Sequence, residues 1–177
     1  MIPEFLASAP RVYRGKRFDL AEVAVVTAQG QKKVKEVVLA PDSVVIVPLL
    51  DEQTVVLIRN QRAAAGTILW ELPAGTMEAG ENPDLCAARE LVEETGYQAK
   101  RLEKLMAFYP APGASTEFMT AYRATGLTQV GQSLDVGEEI TVHPTPIRKA
   151  LEMIVDGTIR DGKTIATLLH HQYFAGK

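Results

Sequence analysis

The chain has 177 residues, 46% of them hydrophobic and 23% charged, which are ordinary proportions for a folded globular protein and a length that fits one domain with a small appended element. A formal charge of −3 removes any general electrostatic reason for a nucleic-acid backbone to be the main partner, so phosphate binding has to be local. The single cysteine, Cys86, rules out an internal disulfide and a cysteine-built zinc site, and no apolar run approaches the roughly 20 residues of a membrane span.

The opening MIPEFLASAP lacks the basic and apolar regions of an export signal, and the expectation is a cytoplasmic protein with no membrane partner. Residues 11–40 then alternate partially and are rich in β-branched side chains, which predicts a small antiparallel sheet with a turn near Gly30. Pro41-Asp42 ends that pattern, so the expected boundaries are an N-terminal sheet element over 1–40 and a main domain over 41–177. SVVIVPLL and TVVLIRNQR read as the two strands of a hairpin in the main sheet, the second carrying Arg59 and Arg62 toward its exit. ILWELPAG reads as a strand closing on a glycine turn. In ENPDLCAARELVEETG the helix signals are strong: Asn82 as N-cap, Pro83 in the first helical position and Gly96 just past the end. RLEKLMAFYP and EFMTAYRATGL suggest two more strands around the loop APGAST, followed by an acidic stretch, a short strand ITVH, and two terminal helices, PIRKALEMIVDG and GKTIATLLHHQYF. The fold class is therefore α/β in the mixed sense, with helices beside a mainly antiparallel sheet.

The chemistry concentrates on the helix after Pro83. At 100° per residue, Leu85, Ala88, Leu91, Val92 and Thr95 fall on one side, which predicts the packing face, and Glu90, Glu93 and Glu94 cluster opposite. Glu90 and Glu94 are like charges one turn apart, a repulsion of a few tenths of a kcal/mol that a divalent cation would remove. Magnesium takes oxygen ligands and shares carboxylates with substrate phosphates, so grouped glutamates suit it. Arg89, four residues before Glu93, is placed to orient a carboxylate. An exposed acidic helix would show the same three glutamates, but it would not show the rest of the pattern.

That pattern is Gly75, five residues, Glu81, seven residues, then Arg89-Glu90-Leu91-Val92-Glu93-Glu94-Thr95-Gly96-Tyr97. It resembles the Nudix box, GX5EX7REUXEEXGU with U apolar, at every specified position. Seven fixed identities arise by chance on the order of once in a million such chains or less. The resemblance implies a Nudix-type α/β/α sandwich and hydrolysis of a nucleoside diphosphate linked to another moiety. It further implies Glu90 and Glu94 as metal ligands, with Glu93 contributing directly or through water, the Ala74 carbonyl as a further ligand, and Glu81 as a supporting residue. Magnesium is the expected ion and manganese the alternative.

Outside the box the chain resembles the ADP-ribose pyrophosphatase subfamily. Pro112 stands fifteen residues after Tyr97, where that subfamily places a proline, and residues 11–40 match its extra N-terminal sheet, which implies a homodimer through that sheet. The general base of the subfamily lies on a loop before a late strand, here Asp135-Val136-Gly137-Glu138-Glu139, with Glu138 favoured over Glu139. Arg62 falls where the subfamily sets an arginine on the pyrophosphate, a bidentate task that suits a guanidinium, and Arg59 is the second candidate. Glu117 corresponds to a ribose contact, while Tyr13 and Phe18 are candidates for base stacking, with sheet packing the alternative. The expected small-molecule partner is ADP-ribose; GDP-mannose or another nucleotide sugar is the rival substrate. A Nudix sensor that binds without cleaving would have lost box glutamates, and this box is intact.

Overall fold

A computed structural model describes Leu6 and residues 8–174. Residues 1–5, part of the stretch read above for an export signal, lie outside the described residues. Among the described residues no helix is long and apolar enough to cross a membrane.

The chain forms two compact units. One runs up to Ser43 and takes in Phe108–Met119; the other comprises Val44–Ala107 and the chain from Thr120 onward. In the first, β1 (Arg11–Arg14), β2 (Asp19–Val26) and β3 (Lys32–Leu39) form an antiparallel sheet in that order, with Gly30 at positive φ in the β2–β3 turn, as the sequence predicts. Its small core is Leu6, Ala21, Val23 and Leu39. The segment 108–119 joins this unit through backbone bonds on both sides of Ser115, Val38 N–H to Ala114 O at 2.8 Å and Thr116 N–H to Val38 O at 3.0 Å.

The second unit holds β4 (Ser43–Pro48), β5 (Thr54–Arg62), β6 (Thr67–Glu71), β7 (Ala74–Thr76), α1 (Pro83–Thr95), β8 (Tyr97–Phe108), β9 (Met119–Gln129), β10 (Ile140–Pro146), α2 (Ile147–Val155) and α3 (Gly162–Phe174), with the ends of β4, β8 and β9 reaching into the first. Here the expected hairpin is corrected. β4 and β5 meet at their turn, through a Leu49–Val55 bridge and the Leu50 N–H on Thr54 O at 3.0 Å, and then diverge, β4 into a four-stranded sheet ordered β7-β4-β9-β8 and β5 into a three-stranded sheet ordered β10-β5-β6. The physical reason is that each is an inner strand: all six residues of β4 are buried between β7 and β9, and β5 has antiparallel neighbours on both edges, leaving neither an edge for the other.

Helix α1 begins and ends as its sequence requires. Asn82 accepts the Asp84 N–H at 2.8 Å, Pro83 occupies the first position, and Gly96 at φ +71° closes the last turn with its N–H on Val92 O at 2.8 Å. Its packing face, however, is rotated from the expected one. Cys86, Ala87 and Leu91 are buried against Val44, Ile46, Tyr122 and Ala124, while Leu85 and Ala88 are exposed. Leu91 and Thr95 are buried as expected, but the buried arc also takes in Glu94, which apolar identity alone placed on the opposite side.

Candidate functional site

The strand-loop-helix segment brings the carboxylates together by two devices. At the loop, a Cβ on Gly75 would lie 1.9 Å from Glu90 Cδ and within 2.2 Å of both its oxygens, so only glycine leaves room for this carboxylate against the backbone. At the helix, Glu94 is 3% exposed and its Oε2 accepts the Ala74 N–H at 2.8 Å. Burial pushes the Glu94 carboxyl up to about 8, with the like charges of Glu90 and Glu138 adding to the effect and the Ala74 N–H opposing it. Glu90 is also raised, first by desolvation and partly by Glu93 and Glu138, against the pull of Arg89.

Arg89 organises the outer side of the cluster. Its Nε and Nη2 donate to Glu81 Oε1 and Oε2, both at 3.0 Å, and its Nη1 donates to Glu90 Oε1 at 2.8 Å and Glu93 Oε2 at 2.9 Å. A fifth bond from Nη2 reaches Thr76 O at 3.2 Å, tying the helix back to the end of β7. This pairing draws Glu81 down to about 2, so it stays ionised. The supporting part expected of Arg89 and Glu81 thus has a concrete geometry.

The charge balance suits a divalent cation. Three carboxylates, Glu81, Glu90 and Glu93, share the Arg89 guanidinium, and a fourth, Glu94, is removed from water with a backbone N–H as its donor. The donors are hard oxygens of the kind magnesium takes. Among the described residues, no three Asp, Glu, His or Cys side chains are gathered tightly enough to hold an ion as they stand, since Arg89 Nη1 draws Glu90 and Glu93 to itself.

The loop carrying Glu138 starts on the helix end that bears these groups. Val130 N–H donates to Gly96 O at 2.8 Å, Ser133 N–H to Glu93 O at 3.1 Å, and Gln132 Nε2 to Glu94 O at 2.6 Å. Within the loop, Glu138 caps its own turn by accepting the Asp135 N–H at 3.1 Å. Its charge acts on both Glu90 and Glu94.

The two arginines are separated. Positions 59 and 62 of a strand point to opposite faces. Arg62 shares a face with Glu71 and donates to it bidentately at 2.8 and 2.6 Å, and its charge acts on Glu94. Arg59 lies on the other face, its guanidinium carbon 5.5 Å from the centre of the Trp70 ring, which in turn packs edge-on against His143 at 4.8 Å. The two candidate arginines thus lie on opposite faces of the strand, and Arg62 is the one on the face of Glu71. Glu117 and Pro112 belong to the other compact unit: Glu117 Oε1 accepts the Ser43 hydroxyl at 2.5 Å and Pro112 is exposed. Tyr13 and Phe18 are about half exposed, so neither packs into the core of its sheet.

Sequence reasoning passed over Glu71, fully buried, and its second partner Lys163. The available signal was an acid inside the apolar strand ILWEL, a position that demands a buried cation.

Comparison with known proteins places these features in context. The NUDIX domain model matches residues 40–166. An ADP-ribose pyrophosphatase of Bacillus subtilis (strain 168) is 32% identical over 92% of this chain and 89% of its own length. A GDP-mannose pyrophosphatase of Salmonella typhimurium is 36% identical over 68% of each chain. A crystal structure titled as an ADP compounds hydrolase superposes with a TM-score of 0.82 over 93% of this chain and 90% of that one, at 23% identity, which speaks for the fold alone.

Proposed function

Because this chain belongs to the Nudix family and is a Nudix pyrophosphohydrolase, we propose that it hydrolyses the pyrophosphate bond of ADP-ribose with magnesium bound, giving AMP and ribose 5-phosphate. The observation that carries the reading is the paired placement of Glu90 against Gly75 and of buried Glu94 on the Ala74 N–H, beside Arg89 and within the field of Glu138.

In this reading Glu90, Glu93, Glu94 and the Ala74 carbonyl hold the cation, with Arg89 and Glu81 setting the angle of the helix carboxylates. When bound, the cation neutralises charge that develops on the phosphoryl oxygens and acidifies water. Glu138 takes the proton from the attacking water as general base, with Glu139 the alternative. Arg62 donates to the pyrophosphate and holds the substrate in the site. The N-terminal sheet, which exposes Val12, Tyr13, Phe18, Val26 and Val34, forms the interface of a homodimer.

ADP-ribose is preferred over GDP-mannose because the similarity to the Bacillus enzyme spans nearly the whole chain, N-terminal sheet included, while that to the GDP-mannose enzyme spans about two thirds. The test is turnover of ADP-ribose, GDP-mannose, NADH, diadenosine polyphosphates and nucleoside triphosphates with magnesium and with manganese, read as phosphatase-accessible product. Highest kcat/KM on ADP-ribose is expected. A higher value on GDP-mannose transfers the assignment to that substrate, and no turnover of any compound would sink the enzymatic reading.

A further inference from the structure

We propose that Glu71 and Lys163 are positioning residues that hold the Arg62 guanidinium in the orientation it needs to engage the substrate's pyrophosphate; this rests on the reading of Arg62 given above. Glu71 has no exposed surface, so its carboxylate must be paired inside the protein. Both of its oxygens are used. Oε1 accepts Arg62 Nε at 2.8 Å, and Oε2 accepts Arg62 Nη2 at 2.6 Å together with Lys163 Nζ at 2.5 Å. One cation would satisfy the charge of Glu71, yet two are supplied.

What the second cation adds is a fixed location for the carboxylate. Lys163 Nζ also contacts Asp161 Oδ2 at 2.9 Å, and the same Asp161 oxygen accepts the Thr164 N–H and hydroxyl at 3.0 and 2.6 Å, which seats it just ahead of the first turn of α3. Thr164 Oγ1 in turn accepts the Leu72 N–H at 2.8 Å, next to Glu71 in the chain. The end of β6 and the start of α3, 92 residues apart, are thereby locked together around one carboxylate. A fork bound through Nε and Nη2 has a fixed plane, and Nη1 is the nitrogen Glu71 does not take. Arg62 keeps 36% of its side chain exposed and lies within the field of Glu94, so this constrained guanidinium borders the acidic cluster. Removing Lys163 leaves Arg62 its ion pair but frees Glu71 to shift.

The experiment is a coupling cycle on the full-length protein with ADP-ribose and magnesium, measuring KM and kcat for Lys163→Met, Arg62→Ala and the double variant, with thermal melts alongside. K163M should raise KM about tenfold with kcat within about threefold, and in the R62A background its further effect should fall below about twofold. Lys163→Arg, which keeps a cation on Glu71, should recover most of the lost affinity, and Lys163→Gln replaces K163M if the latter melts below the assay temperature. An equal KM penalty from K163M with and without Arg62, or wild-type KM in K163M while R62A is impaired, overturns the inference and leaves the role of Arg62 standing. Wild-type KM in R62A overturns the role of Arg62 and this inference with it.

Discussion

Replacing Gly75 with alanine probes the reading of the site with a single carbon. The backbone does not resist it, because Gly75 is not among the glycines at positive φ. The obstacle is Glu90: the new methyl would sit 1.9 Å from its Cδ, where carbon atoms rest no closer than about 3.5 Å, so the carboxylate must retreat by roughly 1.5 Å. Glu90 is held by Arg89 Nη1, and that bond goes with it or breaks. If Glu94 and the Ala74 carbonyl hold the ion as proposed, a carboxylate displaced by this much would no longer meet it. A misplacement of about 1 Å typically costs on the order of 100-fold in rate, so kcat/KM in G75A should fall by about that factor and the magnesium needed for half-maximal rate should rise about tenfold. Stability should change little, since alanine also restricts the unfolded chain by about 0.4–1 kcal/mol, which offsets part of the local crowding. Steady-state kinetics across a magnesium series, with a melt of the same sample, measure all three. Activity within threefold of wild type at every magnesium concentration would refute the claim that Glu90 must occupy this position.

Other outcomes follow from the same geometry. Glu138→Gln should lower kcat by about 10²–10⁴, while Glu139→Gln should stay within a few fold; the reverse order would move the base to Glu139. Glu94 bears on stability through its raised carboxyl: the unfolded group ionises near 4.5 and the folded one near 8, so metal-free protein should lose stability, by several kcal/mol at most, as pH rises through that window. Melting in EDTA at pH 5 and pH 8 should show the loss and Glu94→Gln should flatten it; an identical slope in that variant excludes Glu94 as its source. Cys86 is buried and its thiol is pushed up to about 12 by desolvation, so a thiol reagent should label it only after unfolding, and rapid labelling of folded protein would contradict its burial. Finally, Val26→Lys with Val34→Glu should shift a dimer toward monomer in sedimentation; an unchanged mass places the interface elsewhere.

Much of this molecule is legible in its residues because the signals are local. Helix α1 is bounded by Asn82, Pro83 and Gly96 in both sequence and structure, since a cap is decided within one turn. The box carboxylates are legible for the same reason, being three or four residues apart on one helix. What could not be read are choices settled by distant partners. Leu85 is as apolar as Leu91, yet only Leu91 meets Ile46 and Tyr122, so the wheel misjudged which arc is buried. The divergence of β4 and β5 depends on strands about 70 to 90 residues further on, and the pairing of Glu71 with Lys163 on a helix 92 residues away. Arg59 and Arg62 were separable by parity alone, and counting three positions along the strand was enough to do it.

The divergence of β4 from β5 also sets a timetable for folding. Neither strand can be completed by its neighbour in sequence: β5 waits for β10, where Asn60 pairs with Ile140, and β4 waits for β9. At about 5–20 residues per second of synthesis, helix α1 leaves the ribosome several seconds before the strand that closes the sheet bearing Arg62. The nascent chain thus carries an acidic helix with no finished sheet behind it, and the late, non-local closure makes slow folding the expected behaviour of this topology.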